Sequence, residues 1–227
     1  MEQSQKNFGI AFLILILGLG IWYSISNKNN QVFKVLSEDD IASWETQKLG
    51  GISEEELKEK ISDLENKASQ TQDPEELYNV WIELSQNYRY LGDGEKSFEA
   101  LNEALLVSSD KAIAYLSMGA LLNEVGATQS ARLAYETGVS KEPQFSQFQL
   151  QLIDFLRFTP GIPDEDVEAA FEEGLARTGN STNILREYAI WLGDKDRNQE
   201  AIEAWEMLLL QNPNNREQIE ARINSLR

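Results

Sequence analysis

Two hexapeptides constrain this chain more than any other feature in it. AYETGV at 134–139 and AFEEGL at 170–175 repeat one pattern of small, aromatic and apolar residues. The register extends well beyond them. Trp81, Leu84, Tyr88, Gly92, Leu101 and Ala104 are answered, starting 34 residues after Trp81, by Tyr115, Met118, Gly119, Leu122, Gly126, Ala131, Tyr135, Gly138 and Pro143. A period of this length is that of one helical hairpin. A single hairpin cannot bury its apolar face, so several must stack. The sequence therefore predicts a linear, all-α array.

A third unit starts near Ser146, with Leu152, Phe155 and Leu156 on its first helix. Pro160-Gly161-Ile162-Pro163 lengthens its turn by two residues, and Val167, Phe171, Gly174 and Leu175 resume the second helix. A fourth unit from Thr182 carries Leu185, Tyr188, Ala189, Leu192, Ala201, Trp205, Leu208 and Pro213. Small residues (Ser97, Ala131, Ala201) let helices approach, and large ones (Trp81, Tyr115, Tyr135, Phe171, Trp205) fill the gaps between units. Trp81, Tyr88, Trp191 and Trp205 are accordingly read as packing residues rather than ligand contacts.

This spacing resembles the tetratricopeptide (TPR) pattern W-x2-L-G-x2-Y…A-x3-F…P, in its membrane-anchored bacterial form. Ser85, Ser97 and Leu101 depart from it conservatively. The resemblance implies a TPR-like helical-hairpin solenoid over 73–215, with units at 78–111, 112–145, 146–181 and 182–215. Residues 216–227, with Ile219 and Ile223 on one face, read as a solubilising cap helix.

Before the repeats, residues 53–72 read as a helix. Ser53-Glu54-Glu55-Glu56 is a capping box, and Leu57, Ile61, Leu64 and Ala68 follow at helical spacing. The stripe caps the first unit or makes a coiled-coil contact. Asp73-Pro74 starts the next helix with a cap and an N-terminal proline. Residues 27–52 read as a linker: SNKNNQ is polar, Asp40 to Lys48 suggests a short helix, and Gly50-Gly51 breaks the chain.

A short leader, 1–7, precedes an expected transmembrane helix over 8–26. Phe8 to Ile25 carries no charge and, at 1.5 Å per residue, spans roughly 27 Å, the thickness of a bilayer core. Trp22 and Tyr23 suit the headgroup level. A cleaved signal peptide is the rival reading, with Ser24 and Ser26 as a weak cleavage site, but the apolar run exceeds a signal peptide's apolar core. The expectation is a retained, single-pass signal-anchor in a bacterial cell membrane, with the lipid bilayer as a partner. Lys6 on one side and Lys28 and Lys34 on the other leave the charge rule nearly balanced. The short leader favours a cytoplasmic amino terminus and an extracytoplasmic repeat domain.

Composition narrows the chemistry. The chain has no cysteine and no histidine. That excludes disulfides, a cysteine nucleophile, a histidine base, His- or Cys-ligated zinc and a lipoprotein anchor. Twenty basic residues stand against 38 acidic ones, a net charge of −18. A nucleic-acid backbone is therefore no partner for it. Gly193-Asp194-Lys195-Asp196-Arg197-Asn198 starts like a calcium loop, but Gln199 stands where glycine must turn and Trp205 where the bidentate glutamate belongs. Asn180-Ser181-Thr182 is a sequon of a kind common by chance, and Asp164-Glu165-Asp166 reads as a helix start. No catalytic, cofactor-binding or metal-binding residue is assigned, and no enzymatic activity is expected.

The family resemblance implies a groove lined by the first helix of each unit, at its second, fifth, ninth, twelfth and thirteenth positions. Those positions give Asn79, Ile82, Gln86, Arg89, Tyr90, Ile113, Leu116, Asn123, Leu150, Arg157, Phe158 and Arg186. An apolar row beside arginines suits a peptide or helix segment with apolar anchors and some acidic groups. Ile82 and Gln86 stand where chaperone-binding relatives carry their carboxylate clamp, so that specificity is not expected. The function implied is a membrane-tethered protein–protein scaffold or adaptor. The alternative is a structural envelope protein that associates with itself into a homo-oligomer.

Overall fold

A computed structural model of the chain describes residues 31–36, 39, 41–48, 50–211 and 214–227. The expected leader 1–7, membrane span 8–26 and Pro213 lie outside the described residues. Among the described residues, no helix is long and apolar enough to cross a membrane. Ten helices are present there: α1 (Glu54–Gln70), α2 (Pro74–Leu91), α3 (Gly94–Val107), α4 (Ala112–Glu124), α5 (Thr128–Lys141), α6 (Ser146–Phe158), α7 (Asp164–Thr178), α8 (Thr182–Asp194), α9 (Asn198–Leu210) and α10 (Arg216–Leu226).

Local chemistry starts the helices where the sequence indicates. The Glu56 amide donates to the Ser53 hydroxyl, and the Ser53 amide donates back to the Glu56 carboxylate. Asp73 caps α2, with Pro74 in its first turn. Four hairpins follow, α2/α3, α4/α5, α6/α7 and α8/α9, and each packs on the next. The α6/α7 hairpin, with the longer turn, is the loosest of the four. Helix α1 lays Ile61 and Leu64 against Val80, Leu84, Tyr88 and Ala100, so its apolar stripe is spent on the first unit. Helix α10 covers the other end through Ile219 and Ile223.

Between these ends one core cluster runs from Phe33 to Ile223. Ser97, Ala131 and Ala201 are buried at the close approaches, and Tyr115, Tyr135, Phe171 and Trp205 are buried between units. Trp81 is only half-buried. Instead of a full hairpin, the single helix α1 precedes it, and a cavity of about 450 Å³ opens beside its ring. Among the described residues, the Trp205 indole N–H is the buried side-chain donor without a hydrogen-bond partner, so that ring is held by packing.

The units also cap one another. Helix α4 has no side-chain cap of its own. Its Ala114 amide donates to the Tyr78 hydroxyl at 3.0 Å, and its Ala112 amide donates to Glu142 at 3.0 Å. Burial pushes Tyr78 up to about 12, and burial with Glu168 nearby pushes Tyr188 up to about 12. Burial also raises Tyr88, whose hydroxyl donates to Glu65. Folded-state values above the unfolded one mean a contribution complete below about pH 10 and lost as pH rises through the folded values. The helical signal should fall cooperatively above pH 10, with tyrosinate absorbance rising together with unfolding. Tyrosines that all titrate near pH 10 while the helices persist would contradict this.

The largest departure from expectation lies at 31–48. Of the expected linker 27–52, residues 31–36, 39 and 41–48 are docked on the repeats, and no helix forms over 41–48. The Gly94 amide donates to Trp44 O at 2.9 Å and the Thr46 amide to Gly92 O at 3.2 Å, with an antiparallel bridge between Glu45 and Asp93. The Trp44 ring rests 5.1 Å from that of Phe98. Contacts with the first hairpin turn override a weak local helix preference. This strap lies close enough that a Cβ at Gly94 would collide with Trp44 O.

Candidate partner-binding groove

The twelve predicted groove residues lie on α2, α4, α6 and α8. Asn79, Gln86, Ile113, Asn123 and Phe158 are exposed; Ile82, Arg89, Tyr90, Leu150, Arg157 and Arg186 are half-buried. Leu116 departs from the expectation. It is only 3% exposed. It fills the hole left by the missing side chain of Gly138, where an added Cβ would stand 3.0 Å from Leu116. Leu116 is a core residue.

Two depressions gather part of the predicted set. One, of about 160 Å³, is lined by Ile82, Gln86, Arg89 and Tyr90 with Ser85, Ser97, Leu101 and Ser117. The other, of about 580 Å³, brings Asn123 and Phe158 together with Tyr135, Gln151, Asp154 and Phe155. Asn79, Ile113, Leu150, Arg157 and Arg186 line neither. Phe158 is 72% exposed at the end of α6, with the Arg157 guanidinium 5.1 Å from its ring centre.

The arginines do not stand as a bare cationic row. Arg89 Nε donates to Glu124 at 2.6 Å. Arg157 donates to Glu187 at 3.2 Å and lies 3.8 Å from Asp154. Burial pushes the Asp154 carboxyl up, against the pull of Arg157. Gln86 donates to the Tyr90 hydroxyl at 2.8 Å. The surface presents an exposed ring with apolar, amide and hydroxyl groups around it, and the charges of Arg89 and Arg157 are already matched inside the chain. The expected attraction for acidic groups is accordingly reduced.

Sequence reasoning missed Tyr135, Asp154 and Phe155 as lining residues, and Glu124 and Glu187 as the arginines' partners. A signal for Glu124 existed. Arg89 and Glu124 are 35 residues apart, close to the repeat period, whereas Arg157 and Glu187 are 30 apart, short of it. Equivalent surfaces of adjacent units face each other, so opposite charges one period apart are natural pairs.

The loop that resembled a calcium site is held by ion pairs. Lys195 reaches Asp164 at 2.6 Å and Arg197 reaches Glu168 at 2.7 Å, tying the α8–α9 turn to α7.

No family model matches the sequence, and no curated protein does. Solved structures do. The crystal structure of MamA superposes with a TM-score of 0.52 at 13% identity, covering 74% of this chain and 92% of that one. A thermophilic TPR protein of Thermus thermophilus gives a TM-score of 0.48 at 16% identity, covering 76% and 91%. At such identity the likeness to MamA speaks of the fold alone, and the fold is an all-α array of helical hairpins.

Proposed function

We propose that this chain is a non-enzymatic scaffold, tethered to a bacterial membrane through residues 8–26, that captures a peptide or helix segment of a partner protein on its groove. The observation that carries the reading is Phe158: a large ring 72% exposed at the rim of a depression of about 580 Å³. An exposed aromatic beside a hollow that Tyr135, Phe155 and Pro160 share with Asn123, Gln151 and Asp154 suits the anchor of a binding surface. The partner segment supplies apolar or aromatic side chains for this hollow and for the smaller one at Ile82 and Tyr90. Tethering raises the effective concentration of any membrane-bound partner, so modest affinity suffices.

A photo-crosslinking residue at Phe158, used in native membranes, tests this. Specific adducts should form, and Phe158→Ala should weaken capture of the same proteins by roughly tenfold or more, as loss of a central aromatic anchor does. Because Phe158 is exposed, the variant keeps its fold, which circular dichroism checks. Capture unchanged by Phe158→Ala removes the groove reading. The compartment of the adducts assigns the side of the membrane, expected to be extracytoplasmic. Resistance of the chain to alkaline extraction, lost on deleting residues 8–26, tests the tether.

A further inference from the structure

The strap at 31–48 is held by receivers that belong wholly to the repeat body. The Phe33 amide donates to Asn102 Oδ1 at 2.8 Å. Asn102 is itself 3% exposed, with its Nδ2 donating to Phe98 O at 3.3 Å. The Phe33 ring is buried edge-on to Tyr115, 6.5 Å between centres. Next, the Leu36 amide donates to the fully buried Ser130 hydroxyl at 2.8 Å.

Helix α5 has Ala127 at its N-cap and no side-chain cap of its own. The cap comes from the strap. Asp39 Oδ1 accepts from the Gln129 amide at 3.1 Å and Oδ2 from the Ser130 amide at 2.7 Å. A carboxylate astride two free amides at a helix start is favoured by both hydrogen bonding and the helix dipole.

Three receivers of different chemistry thus stand in a row: a hole for a ring, a hydroxyl for a backbone amide, and two amides for a carboxylate. The first reads an aromatic side chain, the second a backbone amide three residues on, and the third an acidic side chain three further. None of the twelve predicted groove residues supplies them. Gly50 and Gly51, around which no atom approaches an added Cβ, separate the strap from α1. The strap is attached like a ligand on a leash.

We infer that this slot on α3, α4 and α5 is a second peptide-recognition site, which the chain's own strap fills until an extended partner segment of the same pattern displaces it. Main-chain bonds supply affinity and the side-chain receivers supply specificity, as in other modes that read extended peptides. The tethered strap competes at an effective concentration in the millimolar range. Only a partner that binds more tightly, or that is itself held nearby, opens the slot.

The test uses the full chain in detergent, with a labelled peptide of residues 31–48 as the probe. Unmodified chain should bind it weakly. A Phe33→Ala/Asp39→Ala chain, whose own strap is weakened while the slot is intact, should bind it roughly tenfold or more tightly, since the competent fraction rises. Adding Asn102→Ala to that variant should return binding to the unmodified level or below. Equal binding by the first two chains, no binding by either, or indifference to Asn102→Ala overturns the inference. Amide exchange on the unmodified chain gives a readout independent of variants. Excess peptide should expose the chain's own Phe33 and Leu36 amides while Gln129 and Ser130 stay protected. Protection unchanged at all four overturns it as well. Failure here leaves the Phe158 groove standing, because Phe158 and Ile82 take no part in the slot.

Discussion

Phe171→Ala should cost about 3–5 kcal/mol, the range for removing a buried phenylalanine. The ring is fully buried. Its centre lies 5.0 Å from that of Tyr188 and 5.7 Å from that of Trp191, with the Arg157 guanidinium 5.9 Å away. These contacts join α7 to α8, so they are the seam between the third and fourth hairpins. In a linear stack each unit is supported by its neighbours. A fault at one seam should therefore split melting into two steps. Trp191 and Trp205 report the C-terminal half, while Trp44 and Trp81 report the N-terminal half. The expected result is that the first pair loses its folded fluorescence at a lower temperature than the second. A single transition shifted by less than about 1 kcal/mol would show that the seam carries little.

The second large effect is expected at Gly119. A Cβ there would stand 2.7, 2.8 and 2.9 Å from three atoms of the Tyr135 ring. That ring is only 7% exposed and is backed by Phe155 at 5.0 Å, so making room means giving up this packing. Overpacking of this kind costs about 1–3 kcal/mol, against a helix-propensity gain of about 1 kcal/mol for alanine. The net result is loss of stability from a change that on an open helix would be favourable. Gly193→Ala is the control: its nearest neighbour would be Leu226 at 3.8 Å, so the propensity gain should appear there undiminished. Thermal melts of both, with Gly119→Ala/Tyr135→Leu as the relieving double variant, separate crowding from propensity. Gly119→Ala as stable as the parent chain would contradict the close approach.

Both effects fall at places the 34-residue period already marks. Phe171 and Gly119 occupy the large and small positions of the pattern, and a repeat writes its packing partners at fixed offsets. Capping boxes are equally legible, because Ser53 and Glu56 need only each other. Leu116 departs from its expected place for a related reason: its position faces a groove in the family pattern, yet Gly138 one helix later opens a hole for it. Arg89 and Arg157 are legible as residues, but their pairing with Glu124 and Glu187 shows only once adjacent units are set face to face. The strap is not legible at all. Its contacts join residues 43 to 94 positions apart, outside any period. Phe33, Leu36 and Asp39, three apart, look like helix or linker until the receiving surface is known.

That separation also orders events during synthesis. The strap leaves the ribosome before any residue that receives it. Asn102 follows Phe33 by 69 positions, and Ser130 follows Leu36 by 94. At about 5–20 residues per second the wait is roughly 5–20 s. Each hairpin can meanwhile form from near neighbours, as arrays with local contacts do. The strap closes only after the second hairpin exists, since α5 is the helix it caps. For that interval the nascent chain displays an uncovered Phe33, the state in which a chaperone or an early partner would meet it.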